Sequence, residues 1–192
     1  MLATQNKDKL KEFQALLKPL NYQPFLPPKN LPVLETGQTF KANAVLKAKA
    51  YGRFFNLPVI ADDSGLCIDY LNGQPGIHSH RFAINGFSAA CKKILKLLHH
   101  LPQSKRTARF VCCLAYFNPQ TKICRVFTGQ LKGFIAGKEI GQNGFGYDPI
   151  FFSPDLNKTF GQASSVEKNQ FSHRAKALKK LLTFLKLSAA PR

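Results

Sequence analysis

The chain has 192 residues, 44% of them hydrophobic, and its 28 lysines and arginines outnumber 10 aspartates and glutamates to give a formal net charge of +18. This length and hydrophobic content allow a buried core, which excludes an intrinsically disordered chain, and no apolar run approaches the ~20 residues of a membrane-spanning helix. We therefore expect a single soluble, cytosolic domain over residues 1–192, whose basic surface favours anionic partners such as nucleotides or nucleic acid.

The five cysteines stand at positions 67, 91, 112, 113 and 124. Their number is odd, they contain no C-x-x-C pair, and most fall in segments with the apolar pattern of strands. This usage predicts reduced cysteines in the core.

The first part of the chain predicts a short strand followed by two helices. Met1-Leu2-Ala3 leaves room only for a short strand, and the apolar residues between Lys9 and Lys18 recur at helical spacing. The proline-rich stretch 21–32 predicts an extended connector with room for a short strand. Thr39 can cap a second helix, which we expect over residues 41–55.

The second part of the chain alternates helix, hairpin and helix. An amphipathic helix is expected over residues 88–101, followed by strands over 109–117 and 123–131 that a turn connects. The segment from Gly129 to Gly146 is rich in glycine, which indicates a loop whose backbone approaches another group closely. A final helix is expected from about Ser172 to Leu187.

The first candidate site is the polar segment of Thr4, Gln5, Asn6, Lys7, Asp8 and Lys9, between a strand and a helix start. The unpaired N–H groups of a helix N-terminus, together with mobile lysine charge, suit a phosphate. The glycines and the Gly-Lys-Ser/Thr ending of a Walker loop are absent. By itself, this stretch favours the simpler alternative of an ordinary helix cap with solvated lysines.

The second candidate is Asp62-Asp63-Ser64-Gly65, which follows the short buried strand predicted at residues 59–61. Adjacent carboxylates repel each other unless a cation or a proton lies between them. Oxygen ligands of this kind suit Mg²⁺, which completes its shell with water and substrate phosphates. The alternative is an Asx turn in which one aspartate caps a loop. We favour the metal site.

The third candidate is Gly144-Phe145-Gly146-Tyr147-Asp148-Pro149, where glycines flank aromatic residues. Such rings can stack on a planar base. The alternative is a glycine-rich turn whose rings pack into the core. Glu35, Lys47 and Ser172-His173-Arg174 carry no information when each is taken alone.

Six segments, taken in order, closely resemble the inosine triphosphate pyrophosphatase family, also called Ham1-like proteins. They are Thr4–Lys9, Thr39-Phe40 with Asn43-Ala44 and Lys47-Ala48, Ala61–Leu66, Gly73–Gly76, Gly144–Phe152 and Ser172–Leu178. Each segment is weak alone, but their joint order and spacing cover essentially the whole chain. The resemblance implies an α/β fold with an elongated central mixed β-sheet flanked by helices, two lobes with an active-site cleft between them, and a homodimer.

The resemblance also implies a reaction, the Mg²⁺-dependent hydrolysis of ITP, dITP and XTP to the nucleoside monophosphate and pyrophosphate, which cleanses the nucleotide pool. Asp63 resembles the family's proton acceptor and metal ligand, with Glu35 as a second ligand and Asp62 in support. The Thr4–Lys9 loop would hold the triphosphate, and Lys47 would help to neutralise it. The positions that match nucleotide contacts of the family are Ser64, Phe145, Gly146, Tyr147, Asp148, Lys168, His173 and Arg174.

The 6-keto oxygen, which hypoxanthine and xanthine carry and adenine lacks, provides a physical basis for base selection. A pocket that donates hydrogen bonds to this oxygen leaves a donor unpaired opposite adenine's amino group, at a cost large enough for strong discrimination. We expect Arg174 and backbone N–H groups near Tyr147 to be the donors.

Two positions depart from the family pattern, because Gln5 stands where glycine is usual and Ala42 where glutamate is usual. Neither change removes Asp63, so we expect activity, but an inactive relative that binds nucleotide without cleaving it is an alternative. The charge of +18 suggests a further alternative function, that of a basic nucleic-acid-binding protein. No helix-turn-helix, zinc or RNA-binding motif accompanies this charge, so we expect no specific nucleic-acid partner.

Overall fold

The structure is a computed structural model that describes residues 1–189, and it has an α/β fold. Its strands form one six-stranded sheet in the order β1-β2-β3-β4-β5-β6. The strands are β1 (Leu2–Ala3), β2 (Val59–Ile68), β3 (Thr107–Phe117), β4 (Cys124–Ile135), β5 (Phe151–Ser153) and β6 (Lys158–Thr159). β1 and β2 pair in parallel, whereas β5 pairs antiparallel with both β4 and β6, so the mixed sheet is confirmed.

Six α-helices accompany this sheet in the described chain. They are α1 (Lys7–Leu17), α2 (Phe40–Phe55), α3 (Ser79–Phe82), α4 (Phe87–Leu98), α5 (Ser165–Phe171) and α6 (His173–Ala189). Four of them, α1, α2, α4 and α6, were predicted from the sequence. Thr39 caps α2 as expected, because its side chain accepts a hydrogen bond from the Ala42 N–H. No helix within residues 1–189 is both long and apolar enough to cross a membrane.

The described chain divides into two compact units. Unit 1 comprises residues 1–63 and 112–129 and the chain from Arg174 onward, and unit 2 comprises residues 64–111 and 130–173. The strands β2, β3 and β4 therefore each contribute residues to both units. The single domain over residues 1–192 and the cleft between two lobes stay predictions.

The core of unit 1 has two layers, one on each face of its strands. Alternate residues of a strand point to opposite faces. On β3, Cys113 and Ala115 pack with α2, whereas Cys112 and Leu114 pack with α1 and α6. The predicted apolar face of α6, which includes Leu178, belongs to this second layer.

The core of unit 2 forms around α4 and a group of phenylalanines. Ile94 and Leu98 are fully buried, and the rings of Phe110, Phe151 and Phe160 contact one another. α4 ends three residues before the predicted boundary at Leu101, since Pro102 disfavours a helical conformation in the residue before it.

The connector at residues 21–32 contains no strand, although Leu2 N donates a hydrogen bond to Phe25 O at 3.0 Å. The five cysteines are free, and four of them are buried, as expected of reduced core residues. Helix α5 was not predicted from the periodicity; a capping box between Ser164 and Glu167 begins it.

The glycine-rich segment does approach something closely, and what it approaches is the chain itself. A Cβ on Gly141, where φ is +82°, would lie 2.1 Å from the backbone of Gly161. A Cβ on Gly133 would lie 2.2 Å from the carbonyl oxygen of Phe152 on the neighbouring strand. These glycines therefore serve the packing of unit 2.

Candidate active site

The two adjacent aspartates lie within a strand and not in a loop after it. β2 continues through Asp62-Asp63-Ser64-Gly65 to Ile68, so the predicted strand end at residue 61 is wrong, and so is the Asx turn. Aspartate is disfavoured in strands, but strand alternation sends these two side chains to opposite faces, where different cations stabilise them. Both carboxylates are buried in unit 1.

The Asp62 carboxylate is fully buried on the face that α1 and α6 cover. Its Oδ2 lies 3.0 Å from Lys9 Nζ and accepts a hydrogen bond from Arg174 Nε at 3.0 Å, and its Oδ1 accepts one from the Cys112 thiol at 3.4 Å. Burial alone would raise the pKa of Asp62, but Lys9, Arg174 and Lys47 outweigh it and hold the pKa well below its ordinary value. Asp62 is therefore a permanent anion.

Arg174 is held on both sides by carboxylates. Besides Asp62, its Nη1 donates to Glu12 Oε2 at 2.6 Å, and the Arg174 side chain is only 4% exposed. Burial opposes the charge of Arg174, but the two carboxylates raise its pKa above the ordinary value. The expected donor for base recognition is thus engaged in an ion-pair network within unit 1.

Glu12 is the member of this network that the sequence analysis missed. Lys9 and Glu12 are three residues apart on α1 and so lie on the same helix face. Because Phe13 marks the buried side of α1, a carboxylate beside it needed a cationic partner. The spacing of Lys9 and Glu12 was the sequence signal from which a role for Glu12 could have been predicted.

Asp63 lies on the α2 face, where Lys47 joins it to Glu35. Lys47 Nζ is 3.6 Å from Asp63 Oδ1 and 3.0 Å from Glu35 Oε1, and it donates to the backbone oxygen of Asp62 at 2.9 Å. Burial raises the pKa of Asp63 above its ordinary value despite the opposing charges of Lys47 and Lys9. Burial would lower the pKa of Lys47, but the carboxylates around it raise it.

The remaining oxygen of Asp63 is the feature that points to a ligand. Asp63 Oδ2 is buried and accepts no hydrogen bond from any residue between 1 and 189. Among these residues no group of three or more His, Cys, Asp or Glu side chains could hold a metal ion by itself. Mg²⁺ needs only one or two protein carboxylates and takes the rest of its oxygens from water and phosphates. Asp63 and Glu35 fit that requirement.

The Thr4–Lys9 segment caps α1. Asn6 Oδ1 accepts hydrogen bonds from the N–H groups of Asp8 and Lys9, at 2.9 and 3.0 Å, and Thr4 Oγ1 accepts one from Asn6 N. Lys9 is not a mobile charge as expected, since Asp62 binds it, whereas the Lys7 side chain is exposed. The cap that the sequence offered as an alternative is thus present, and Lys7 is the lysine of this segment that extends into solvent.

In unit 2 the aromatic segment is organised by a buried ion pair between Asp148 and Lys168. Asp148 Oδ2 contacts Lys168 Nζ at 2.5 Å and accepts a hydrogen bond from Phe145 N at 2.8 Å. Lys168 Nζ lies 4.7 Å from the centre of the Phe145 ring. A Cβ on Gly144 would meet Asp148 Oδ2 at 2.0 Å, so this turn requires glycine there.

Tyr147 and His173 are buried residues of unit 2. The Tyr147 hydroxyl donates to the Ser79 carbonyl oxygen at 2.7 Å, its ring packs edge-on against Phe87, and burial raises its pKa. The His173 ring stacks on Phe110 at 4.8 Å. Tyr147 therefore packs into the core, as the alternative interpretation of this segment states, while Gly146 and Ser64 are partly exposed.

Known proteins are similar to this chain in sequence and in fold. The model of the Ham1 family matches residues 1–184. The chain belongs to the Ham1 family. It is 44% identical over 190 residues to the dITP/XTP pyrophosphatase of Bacillus licheniformis, and the match covers 96% of each chain. The corresponding enzyme of Bacillus subtilis is 43% identical over 194 residues, again with 96% of each chain covered.

Solved structures of the Ham1 family have the same fold. The Ham1 protein of Staphylococcus aureus superposes with a TM-score of 0.84 at 39% identity, covering 97% of each chain. The HAM1 protein of Coxiella burnetii gives 0.83 at 38% identity, covering 96% of each chain. The resemblance in the six sequence motifs is thereby confirmed.

Proposed function

We propose that this Ham1 protein hydrolyses the noncanonical purine nucleoside triphosphates ITP, dITP and XTP to the nucleoside monophosphate and pyrophosphate. The relatives named dITP/XTP pyrophosphatase support this reaction. The observation that carries it is Asp63, a buried carboxylate beside Lys47 and Glu35 whose Oδ2 has no partner among residues 1–189.

Asp63 is the proposed general base for the attacking water. Its raised pKa brings the carboxylate closer to the operating pH, which makes it a better proton acceptor than an ordinary aspartate. Lys47, 3.6 Å from Asp63 Oδ1, favours the ionised form of Asp63, although burial outweighs it in the pKa. Asp62, in contrast, holds its negative charge permanently and fixes Lys9 and Arg174 in place.

Mg²⁺ is the proposed cofactor, held by Asp63 and Glu35. When bound, it screens the charge of the triphosphate and polarises the phosphate oxygens. Lys47 bridges the two carboxylates and so keeps these like charges together without a large repulsion.

The N-terminus of α1 is the proposed position of the triphosphate. Helix N-termini carry a partial positive charge, and the exposed Lys7 adds a full one. The Gln5 side chain is exposed, so its departure from glycine leaves the cap of α1 intact.

Base selection is assigned to unit 2. Because Arg174 binds Asp62 and Glu12, and Lys168 binds Asp148, we place the donors for the 6-keto oxygen on backbone N–H groups near Tyr147. Asp148 organises this segment through its contacts with Lys168 and Phe145 N.

Pyrophosphate release from ITP, XTP, GTP and ATP with Mg²⁺ tests the reaction. We expect rapid release from ITP and XTP alone, and a loss of about 100-fold or more in Asp63→Asn, the lower range for a general base. Asp155→Asn is the matched control, because Asp155 is an exposed aspartate of unit 2. Wild-type turnover in Asp63→Asn contradicts the assignment of the base.

No release from any substrate favours an inactive nucleotide-binding relative instead. Gln5→Gly and Ala42→Glu are then the first changes to make. A cytoplasmic homodimer completes the proposal; the resemblance supports it, and sedimentation of the purified protein tests the oligomeric state.

A further inference from the structure

One surface of unit 1 carries strong positive charge, and Asp8 of α1 is the one exposed acid among the described residues of that unit. It is formed by α1, by residues 18–25 and by α6, and its exposed lysines are Lys18, Lys176, Lys179, Lys180 and Lys186. None of these lysines forms an ion pair with a residue in the described part of the chain. Four acids of unit 1 bind cations of the candidate active site: Glu12, Glu35, Asp62 and Asp63. The other acid of the unit, Asp8, is exposed. The positive field of this surface is therefore not neutralised locally.

Three adjoining depressions run across this surface. Lys179 and Lys186 line the first, which shares Leu178 and Leu182 with the second. The second shares residues 22–24 with the third, which extends to Lys18 and Phe25 and has a volume of about 670 Å³. The three depressions adjoin through these shared residues and are together called the α1–α6 trough; the middle one is lined mainly by apolar side chains.

Two aromatic rings stand at the end of the trough that Lys18 lines. Tyr22 is 53% exposed and Phe25 is 51% exposed, so both rings are accessible to a ligand in the trough. Proteins that bind single strands combine a positive groove that follows the phosphates with aromatic side chains on which bases stack. The α1–α6 trough contains both parts.

We propose that the α1–α6 trough binds single-stranded nucleic acid without sequence preference. Lys179 and Lys186, two helical turns apart on α6, line one end of the trough, and Lys18 lines the other end, so the phosphates of a strand can contact lysines at both ends. The unpaired bases then stack on Tyr22 and Phe25. A second copy of this chain fits less well, because a symmetric contact would place these lysines against one another. The proposal does not rest on the pyrophosphatase reaction.

The test is the binding of a fluorescent oligothymidine of about 20 nucleotides, measured by anisotropy as a function of salt. We expect Lys18→Gln/Lys179→Gln/Lys186→Gln to weaken binding about tenfold or more and to lower the salt slope by about 2, since each phosphate contact contributes ~0.7. Tyr22→Ala is expected to weaken binding about fivefold or more through lost stacking.

Unit 2 provides matched controls for both changes. Lys92→Gln/Lys93→Gln/Lys96→Gln removes the same charge from exposed positions of α4, and Tyr70→Ala removes a ring that is 50% exposed. Both controls are expected to bind the oligonucleotide as the unmodified protein does. Melting temperatures of all variants check that folding is retained.

Three results would overturn the proposal. Equal losses in the two lysine variants mean that only the net charge of the molecule matters. Equal affinity for duplex DNA or for inorganic polyphosphate, with no effect of Tyr22→Ala, means that no base is stacked. A change in sedimentation on Tyr22→Ala without a change in oligonucleotide binding assigns the trough to self-association.

Discussion

Asp62 and Asp63 are neighbours on β2, yet the pKa of Asp62 is lowered and that of Asp63 is raised. Strand alternation explains the difference, because it gives Asp62 to the cations of α1 and α6 and leaves Asp63 with Lys47 and a buried, unpartnered oxygen. Asp62 is thereby suited to holding Lys9 and Arg174 in place, and Asp63 is suited to accepting a proton. The following predictions test this division.

Asp63→Asn should stabilise the metal-free protein at neutral pH. A carboxyl whose folded pKa is raised stabilises the fold at low pH, and that contribution is lost as pH rises through the folded pKa. Removing the charge at pH 7 is therefore favourable, and we expect a higher melting temperature. Measured in EDTA, the gain should vanish as pH falls below 4, the ordinary range of the carboxyl. A lower melting temperature at pH 7 contradicts this assignment.

Asp62→Asn should have the opposite effect. Its removal leaves Lys9 and Arg174 without their shared buried anion, and breaking such a pair costs about 3–5 kcal/mol. Because the folded pKa of Asp62 is lowered, its contribution is present above its ordinary pKa and is lost as pH falls. Urea unfolding at pH 7 measures the loss. Asp69→Asn is the control, since that half-exposed carboxylate pairs with Arg109 and should contribute less than about 1 kcal/mol.

Glu12→Gln should weaken the position of Arg174. The carboxylate contacts Nη1 of a guanidinium that is almost fully buried, and a hydrogen bond to a charged group contributes about 1.5–3 kcal/mol. We expect a loss of this size in urea unfolding. Glu167→Gln, on an exposed capping box, should lose less, and equal losses would mean that burial of the Arg174 pair adds nothing.

Gly144→Ala should disturb the turn that Asp148 organises. Its φ is +73° and a Cβ would meet Asp148 Oδ2 at 2.0 Å. Gly73→Ala isolates the backbone cost, because Gly73 has a φ of +82° but no atom within 4 Å of a Cβ. Both changes should cost about 1 kcal/mol for the left-handed conformation, and Gly144→Ala should cost more and also lower ITP turnover. Equal effects of the two changes count against the role of Asp148.

Much of the fold was predictable from local pattern. The helical spacing of apolar residues located α1, α2, α4 and α6, and the Thr39 cap was correct, because both signals act over a few residues. The predicted strand ended before Asp62, whereas β2 continues through Asp62 and Asp63. Aspartate pairs are typical of loops, and the cations that stabilise these two lie on helices distant in sequence.

The candidate site was predicted in its residue types more than in its contacts. The motifs named Asp63, Glu35 and Lys47, which the structure brings together, but they gave no sign that Arg174 would bind Glu12. Those residues are separated by most of the chain, so no local pattern reports the ion pair.

The sequence by itself determined where α1, α2, α4, α6, β3 and β4 lie and which of their faces are apolar, because these depend on local spacing. The tertiary structure alone decided the opposite pKa shifts of Asp62 and Asp63 and the partners of Lys9 and Lys47. A pKa is set by burial and by nearby charges, and here those charges belong to residues of α1, α2 and α6. The exposed lysines and rings of the α1–α6 trough likewise form one surface only once α1 and α6 pack side by side.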